Sequence, residues 1–167
     1  TAAVTPKVQV ADPEGNAREI IRLAKEAAGN GAKIIVFPEL CITGYTCSDL
    51  FFQSSLLTAA EESLSAIAEA SRGKNIVAVV GLPINIGNSL YNCSVAIYDG
   101  DILGAVPKTY IPNYGEYYEK RWFKSGKGLK GGIALCGQSV PIGCNLLFAA
   151  EGIENFTFGI EICEDLW

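Results

Sequence analysis

Three residues with chemically reactive side chains each follow an apolar, strand-like segment. Glu39 follows IIVFP at 34–38, Lys108 follows ILGAVP at 102–107, and Cys163 follows FGIEI at 158–162. In layered α/β folds the carboxyl ends of strands gather at one edge of the sheet, so we expect these side chains to meet in one pocket. Such a pocket would contain a carboxylate, an ammonium group and a thiol.

These groups are sufficient for covalent hydrolysis of an amide or a nitrile. Cys163 would attack the carbon, Glu39 would accept the thiol proton, and Lys108 would stabilise the negative charge that develops on the substrate. A water molecule activated by the same carboxylate would then hydrolyse the thioester. The predicted chemistry is acyl transfer through a covalent intermediate.

Each of these residues, taken alone, also has a simpler explanation. Glu39 and Lys108 would be solvated turn residues, and Cys163 would be a core thiol. The carboxylates that flank Cys163 in the sequence favour a functional role for it. Several carboxylates beside one thiol raise the pKa of that thiol unless a cation such as Lys108 lies near, and the predicted pocket would bring Lys108 there. Cys41 and Cys47 are alternative nucleophiles, ranked lower because no cationic residue lies close to them in sequence.

The composition excludes several other kinds of chemistry. The 167 residues include no His, which excludes Ser-His-Asp and Cys-His catalysis and His-bearing zinc sites. The cysteine spacing also predicts no structural zinc, so no metal site is expected, and we expect the six cysteines to be reduced. The GKGLKG segment at 126–131 matches a dinucleotide-binding pattern but follows no strand and opens no helix, so we interpret it as a flexible loop.

Charge and hydropathy limit the partners and the location of the protein. The formal net charge is −5 with charges of both signs interspersed, which argues against nucleic acid or an anionic membrane surface as a partner. No apolar run approaches the ~18 residues that a membrane span needs. A cytoplasmic protein is therefore expected.

The elements that must position the reactive residues alternate between strands and helices. Helical periodicity places one helix from Asp12 or Asn16 to about residue 29, the later start having a capping box, and a second helix at 56–71. Strands are expected at 4–10, 33–37 and 76–82. Two hairpins are expected, one at 91–98 and 102–106 around Asp99-Gly100, and one at 145–149 and 156–162 around a turn at 151–155.

Longer motifs around the reactive residues resemble one protein family. They are PELCITGYTC at 38–47, PKTYIPNYGEYYEKRWF at 107–123 and EICEDLW at 161–167. They resemble the nitrilase, or carbon–nitrogen hydrolase, superfamily with its Glu-Lys-Cys triad, and especially the glutaminase domains of glutamine-dependent NAD synthetases. The resemblance runs from Val4 to Trp167, and the aromatic segment at 107–123 is its most specific part.

The resemblance implies roles for individual residues. It implies that Cys163 is the nucleophile, Glu39 the general base and Lys108 the oxyanion stabiliser. Glu119, at the family's second glutamate, would orient Lys108. The residues expected to contact glutamine are Tyr45, Tyr114 and Glu164, the last through its carboxylate to the α-amino group and its N–H to the oxyanion.

The resemblance also implies a fold and a reaction. The fold would be a four-layer αββα sandwich, with residues 1–167 a partial glutaminase domain covering roughly its first half and ending just after the nucleophile. The domain would hydrolyse glutamine to glutamate and ammonia, and a synthetase domain of the same polypeptide would use the ammonia to amidate deamido-NAD. ATP and Mg²⁺ would bind that synthetase domain, no cofactor is expected in residues 1–167, and the parent protein is expected to be a homo-oligomer.

Two other interpretations stay open at this point. In the first, the chain is a free-standing amidase that acts on another small amide or a nitrile. In the second, it is a catalytically silent scaffold module in which Glu39, Lys108 and Cys163 are structural.

Overall fold

Two helices, α1 (Pro13–Gly29) and α2 (Ser54–Ser71), pack against each other and against a mixed β-sheet in the computed structural model of the protein. The structure describes residues 1–151 and 155–167. The strands, in chain order, are β1 (Ala2–Ala3), β2 (Ile34–Val36), β3 (Val77–Ile86), β4 (Ser89–Tyr98), β5 (Asp101–Pro107), β6 (Lys130–Leu135), β7 (Gln138–Gly143), β8 (Phe148–Ala149) and β9 (Thr157–Phe158).

The main sheet has seven strands in the order β1-β2-β3-β4-β5-β7-β6, and β8 pairs with β9 in a separate two-stranded sheet. Strand β3 is parallel to β2 and antiparallel to β4, and β4 is antiparallel to β5. Strands β2, β3 and β5 therefore run in the same direction, and the carboxyl ends of β2 and β5 lie at the same edge. The expected α/β class is confirmed as a mixed sheet with flanking helices.

One face of the main sheet forms the largest core with the helices. Alternating residues of β3, such as Val80 and Leu82, pack there with Ile20 of α1 and Leu64 of α2, and all four side chains are inaccessible to solvent. The opposite face carries Ala96 and Val106, and these pack with the β8–β9 segment in a smaller cluster. The helices thus cover one face of the sheet.

Helix α1 begins at the earlier of the two expected positions. The Asp12 carboxylate accepts a hydrogen bond of 2.9 Å from the Gly15 N–H, which makes Asp12 the N-cap. The alternative start at Asn16 with a capping box is wrong. Asn16 is buried inside the helix, and its amide donates to the carbonyls of Gln9 and Ile42 at 2.7 and 3.0 Å.

The expected strand at 4–10 is also wrong, because the strand in this region is β1 at Ala2–Ala3. Pro6 has no N–H to donate to a ladder, and Val8 turns back to donate to its carbonyl at 3.0 Å. Both backbone polar groups of Gln9 bond the side chain of Asn16 and not a neighbouring strand.

The hairpin expected around Asp99-Gly100 is confirmed. Strands β4 and β5 are antiparallel, and Asp99 and Gly100 both have positive φ, at 50° and 90°. Two consecutive positive φ values are the requirement of a tight hairpin turn, and they explain the Asp-Gly pair. The expected strands at 33–37 and 76–82 are present as β2 and β3.

Two other expectations in the second half of the chain need correction. Part of the supposed flexible loop at 126–131 is ordered, because Lys130 and Gly131 begin β6 and pair with β7. The hairpin expected at 145–149 and 156–162 is reduced to β8 and β9, and its strand does not reach residue 162. Residues 152–154 of its expected turn lie outside the described residues.

All six cysteines lie in the described ranges and are free thiols. Among the residues that the structure describes, none of the helices combines the length and the hydropathy needed to cross a membrane.

Candidate active site

Lys108 lies at the centre of a buried ionic network at the carboxyl end of β5. Its side chain is inaccessible to solvent, and its Nζ donates to Glu39 Oε1 at 2.7 Å and to both carboxylate oxygens of Glu119 at 2.9 Å. Burial alone lowers the pKa of Lys108, but the hydrogen bonds and charges of the two carboxylates outweigh it and raise this pKa overall. Lys108 therefore keeps its positive charge at neutral pH.

Glu39 reaches this network from the loop after β2. Its neighbour Leu40 has a φ of 52°, which turns the chain sharply at the end of the strand. The turn lies directly against Gly81 of β3, where a Cβ atom would overlap the Leu40 nitrogen and come within 3.1 Å of the Glu39 carbonyl carbon. Gly81 therefore allows the Glu39 loop to approach the sheet.

Glu119 begins a short helical turn, Glu119–Arg121, in the aromatic segment, and it is almost completely buried. The Tyr45 hydroxyl donates to Glu119 Oε1 at 2.7 Å, in addition to the two bonds from Lys108. Burial raises the pKa of Glu119 above its ordinary value, although the hydrogen bonds from Lys108 and Tyr45 oppose this. Burial and the adjacent Glu119 also raise the pKa of Tyr45, so Tyr45 stays a neutral donor. Tyr45 thus holds Glu119 in this structure, and its expected contact with glutamine stays a prediction.

Cys163 begins another helical turn, Cys163–Leu166, and its φ is 50°. This conformation is uncommon for a residue other than Gly, and strained backbone of this kind is concentrated at functional sites. Partial desolvation and the charges of Glu39 and Glu119 raise the pKa of the thiol, whereas Lys108 and the N–H of Glu164 lower it, with a net increase. The thiol is thus protonated at neutral pH and needs a base before it can attack.

Tyr114 and Glu164 lie together beside Cys163. The Tyr114 hydroxyl donates to Glu164 Oε1 at 2.8 Å. Both residues line an open cavity of about 710 Å³, which the aromatic segment and the lysines at 120, 124 and 127 also border. Glu39, Lys108 and Cys163 are not among its lining residues.

Sequence reasoning missed two residues that join the parts of this site. Asp165 accepts hydrogen bonds from the backbone N–H groups of Thr109 and Tyr110 at 2.9 and 2.8 Å, which fixes the Cys163 turn to the residues after Lys108. Asn92 of β4 donates to Glu39 Oε1 at 2.6 Å. The sequence signals were an Asp within two residues of the Cys and an Asn inside an apolar strand.

The alternative nucleophiles are buried packing groups. Cys41 receives a hydrogen bond of 3.3 Å from the Gly81 N–H, and burial raises the pKa of its thiol to about 12. Cys47 donates to the carbonyls of Thr43 and Gly44, and burial raises its pKa as well. Neither thiol is accessible to a substrate.

The GKGLKG segment supports the Lys108 backbone. The N–H of Gly126 donates to the Lys108 carbonyl at 2.8 Å, and a Cβ at position 126 would lie 2.6 Å from the Pro107 ring. The glycine at this position therefore permits close packing against the end of β5, which accounts for it without a bound nucleotide.

Comparison with known proteins places this chain in one family. A family model described as carbon–nitrogen hydrolase matches residues 1–167, so the chain belongs to the carbon–nitrogen hydrolase family. It is 40% identical over 166 residues to the glutamine-dependent NAD(+) synthetase of Mycobacterium tuberculosis, a match that covers 99% of this chain and 24% of that protein. The chain therefore spans about a quarter of the length of the curated relatives it matches.

Solved structures show the same relationship. The crystal structure of a glutamine-dependent NAD(+) synthetase from Cytophaga hutchinsonii matches with a TM-score of 0.88 at 30% identity, covering 98% of this chain and 27% of that chain. The crystal structure of an amidase from Nesterenkonia sp. matches with a TM-score of 0.62 at 25% identity, covering 83% of this chain and 52% of that chain.

Proposed function

We propose that this chain is the glutaminase portion of a glutamine-dependent NAD synthetase, with Cys163, Glu39 and Lys108 as its catalytic groups. The observation that carries the proposal is the buried Glu39–Lys108–Glu119 network, to which Asp165 ties the Cys163 turn through the backbone N–H groups that follow Lys108. The relatives of highest identity reported above are named for glutamine and NAD, which supports this substrate and product.

In the first half of the proposed reaction, Cys163 Sγ attacks the side-chain carboxamide carbon of glutamine while its proton passes to Glu39. Glu39 then gives this proton to the departing nitrogen, the carbon–nitrogen bond breaks, and ammonia leaves behind a glutamyl thioester. The raised pKa of Cys163 is the reason that a base is needed in this step.

Oxyanion stabilisation is divided between two groups. All three N–H bonds of the Lys108 ammonium are directed at carboxylate oxygens, so Lys108 acts on the oxyanion through its charge. The N–H of Glu164, the residue that follows Cys163, would be the directional donor.

In the second half of the reaction, Glu39 takes a proton from water, and the resulting hydroxide attacks the thioester. Glutamate leaves, and the Cys163 sulfur recovers its proton from Glu39. Glu119 holds Lys108 throughout by accepting two of its N–H bonds, and Tyr45 holds Glu119 by donating to its Oε1.

Substrate recognition is assigned to the Tyr114–Glu164 pair, which lines the open cavity beside Cys163. The Glu164 carboxylate would bind the α-amino group of glutamine by a charge-assisted hydrogen bond. Tyr114 orients that carboxylate through the bond of 2.8 Å. Tyr45, whose hydroxyl bonds Glu119, is proposed as a further contact of glutamine.

The proposal extends to a longer polypeptide. The ammonia would be used by a synthetase domain of the same protein to amidate deamido-NAD, with ATP and Mg²⁺ bound by that domain. We further propose the four-layer αββα sandwich for the complete glutaminase domain, and a homo-oligomeric, cytoplasmic enzyme.

Substitution of Cys163 in the full-length protein tests this function. Cys163→Ser is expected to abolish NAD formation from glutamine while leaving NAD formation from ammonium salts, because only the thiol-dependent step is removed. Cys136→Ser, at a partly exposed thiol in the β6–β7 turn, is the matched control and should retain both activities. Glutamine hydrolysis by Cys163→Ser would contradict the proposal.

The similarity to the Nesterenkonia amidase supports a second candidate, an amidase that acts on another small amide or a nitrile. The two candidates differ in the need for the Glu164 carboxylate. Glu164→Gln should raise the KM for glutamine and leave hydrolysis of a short aliphatic amide unchanged. A parent enzyme that prefers the aliphatic amide to glutamine would favour the amidase.

A further inference from the structure

Asn92 is a buried residue of the central strand β4 that contacts both charged partners of the candidate site. Its side-chain amide donates to Glu39 Oε1 at 2.6 Å, and its backbone carbonyl accepts from the Lys108 N–H at 2.8 Å. Only 1% of its surface is exposed. Asn92 therefore fixes the position of the Glu39 side chain and of the Lys108 backbone by one hydrogen bond each, from within a strand of the sheet.

The two hydrogen bonds to Glu39 fall on the same oxygen. Oε1 accepts from Asn92 Nδ2 and, at 2.7 Å, from Lys108 Nζ. The Oε2 atom accepts no hydrogen bond from the described residues. A carboxylate held in this way has one oxygen engaged in orientation and the other free to take a proton.

The remaining polar atom of Asn92 shows that the amide is not optimised for stability. Its Oδ1 is buried and has no hydrogen-bond partner among the described residues. An unpaired buried acceptor is destabilising, and an apolar side chain of the same size would avoid that cost. The amide is thus better explained by what its Nδ2 does for Glu39 than by packing.

We propose that Asn92 is a positioning residue that fixes the Glu39 carboxylate so that Oε2 receives the thiol proton of Cys163. The proposal rests on the proposed function, because it assigns Glu39 as the base. Proton transfer needs donor and acceptor within hydrogen-bond reach, so a carboxylate that rotates away from this geometry reacts more slowly even when substrate is bound.

Two substitutions in the full-length protein separate positioning from packing. Asn92→Leu keeps the number and branching of the side-chain heavy atoms and removes both the donor and the unpaired acceptor, whereas Asn92→Asp keeps the shape and replaces the donor by an acceptor. Both should lower kcat for glutamine by about 100-fold with little change in KM. Asn92→Leu should also unfold at the same temperature as the parent or higher.

Asn16→Leu is the matched control. Asn16 is also a buried Asn, but its amide bonds are to backbone carbonyls at the start of α1 and not to a carboxylate. This variant should lose stability and keep its kcat. A fall in kcat for Asn92→Leu only in proportion to lost folded protein, or an unchanged kcat in both Asn92 variants, would overturn the proposal.

A second readout does not need glutamine turnover. The thiolate titration of Cys163, measured by absorbance as the difference from Cys163→Ser, reports on the charged groups around the sulfur. These titratable groups are Glu39, Lys108, Glu119, Tyr45 and Tyr114. Because the Glu39 charge raises the pKa of Cys163, a displaced Glu39 should move the titration to lower pH in Asn92→Leu and leave it unchanged in Asn16→Leu.

The two readouts distinguish the possible failures. A parent protein that hydrolyses no glutamine would contradict the proposed function, and the titration would still decide the role of Asn92. A Cys163 titration that coincides in the parent and in Asn92→Leu would show that Asn92 does not hold Glu39. If Asn92→Leu fails to fold, Asn92→Asp, which keeps the parent's shape, decides the question by its kcat, because its added charge acts on the Cys163 titration directly.

Discussion

At the scale of the residue, the site is defined by how buried charges compensate one another. Lys108 is completely buried and is acceptable there because Glu39 and Glu119 bond it from different loops. The same carboxylates raise the pKa of the Cys163 thiol, which makes it a poor nucleophile unless one of them takes its proton. The stability of the buried site and the reactivity of Cys163 therefore both depend on Glu39, Lys108 and Glu119.

Glu39→Gln should affect the acidity of Cys163 and its reactivity in opposite directions. Loss of the Glu39 charge removes a contribution that raises the pKa of Cys163, so the thiolate titration should move to lower pH. Loss of the base should nevertheless reduce glutamine turnover by about 10²- to 10⁴-fold. Turnover that rises together with the thiolate fraction would show that the reaction needs only the anion and no base.

Lys108→Met should be strongly destabilising. It leaves two carboxylates close together without their cation, and removal of one partner from a buried ion pair costs about 3–5 kcal/mol in the free energy of unfolding. Because the penalty comes from charged carboxylates, it should decrease as the pH falls and they become protonated. Urea unfolding at neutral and acidic pH measures both effects. Lys25→Met, at an exposed position of α1, is the control and should change stability by less than about 0.5 kcal/mol.

At the scale of the element, the site depends on strand direction. Because β2 and β5 run in the same direction, the side chains that follow them reach the same edge of the sheet. This rule predicts from the sequence that Glu39 and Lys108 meet, and the structure places them in direct contact. Cys163 follows the rule less closely, because β9 ends at Phe158. The turn that begins at Cys163 is instead held against the residues after Lys108 by the hydrogen bonds of Asp165.

Gly81→Ala tests whether the β3 backbone positions Glu39. The new methyl group would overlap the Leu40 nitrogen and push the Glu39 loop away from the sheet. We expect a loss of about 1–3 kcal/mol of stability together with a lower kcat. Gly29→Ala, at the end of α1 with no atom within 4 Å of the added Cβ, should be neutral or stabilising. Unchanged kcat in Gly81→Ala would show that the close approach is not needed for activity.

Local patterns explain which elements were predictable. The helices α1 and α2, strand β3 and the Asp99-Gly100 hairpin depend on periodicity or turn chemistry contained in short segments, and each is present. The expected strand at 4–10 failed because Asn16, from the following helix, competes for the Gln9 backbone. Asn92 and Asp165 were missed. An Asn inside an apolar strand and an Asp close to Cys163 were visible, but their roles depend on hydrogen bonds to partners about 50 residues away.

At the scale of the whole molecule, the described residues form the sheet and helix layer on which one wall of the site is built. The helices cover one face of the main sheet, and a small cluster with β8 and β9 packs on the other. The second pair of layers in the αββα sandwich stays a prediction, as do the synthetase domain and the homo-oligomer. The membership in the carbon–nitrogen hydrolase family rests on the full length of the chain.

The most direct test of the account is to trap the covalent intermediate. The full-length protein would be mixed with glutamine, quenched in acid during turnover, digested, and analysed by mass spectrometry. The account predicts a glutamyl group on the peptide that contains Cys163, and its disappearance in Cys163→Ser. A glutamyl group on Cys41, Cys47 or another residue would contradict it. Turnover of glutamine without any acylated Cys163 in the quenched samples would contradict it as well.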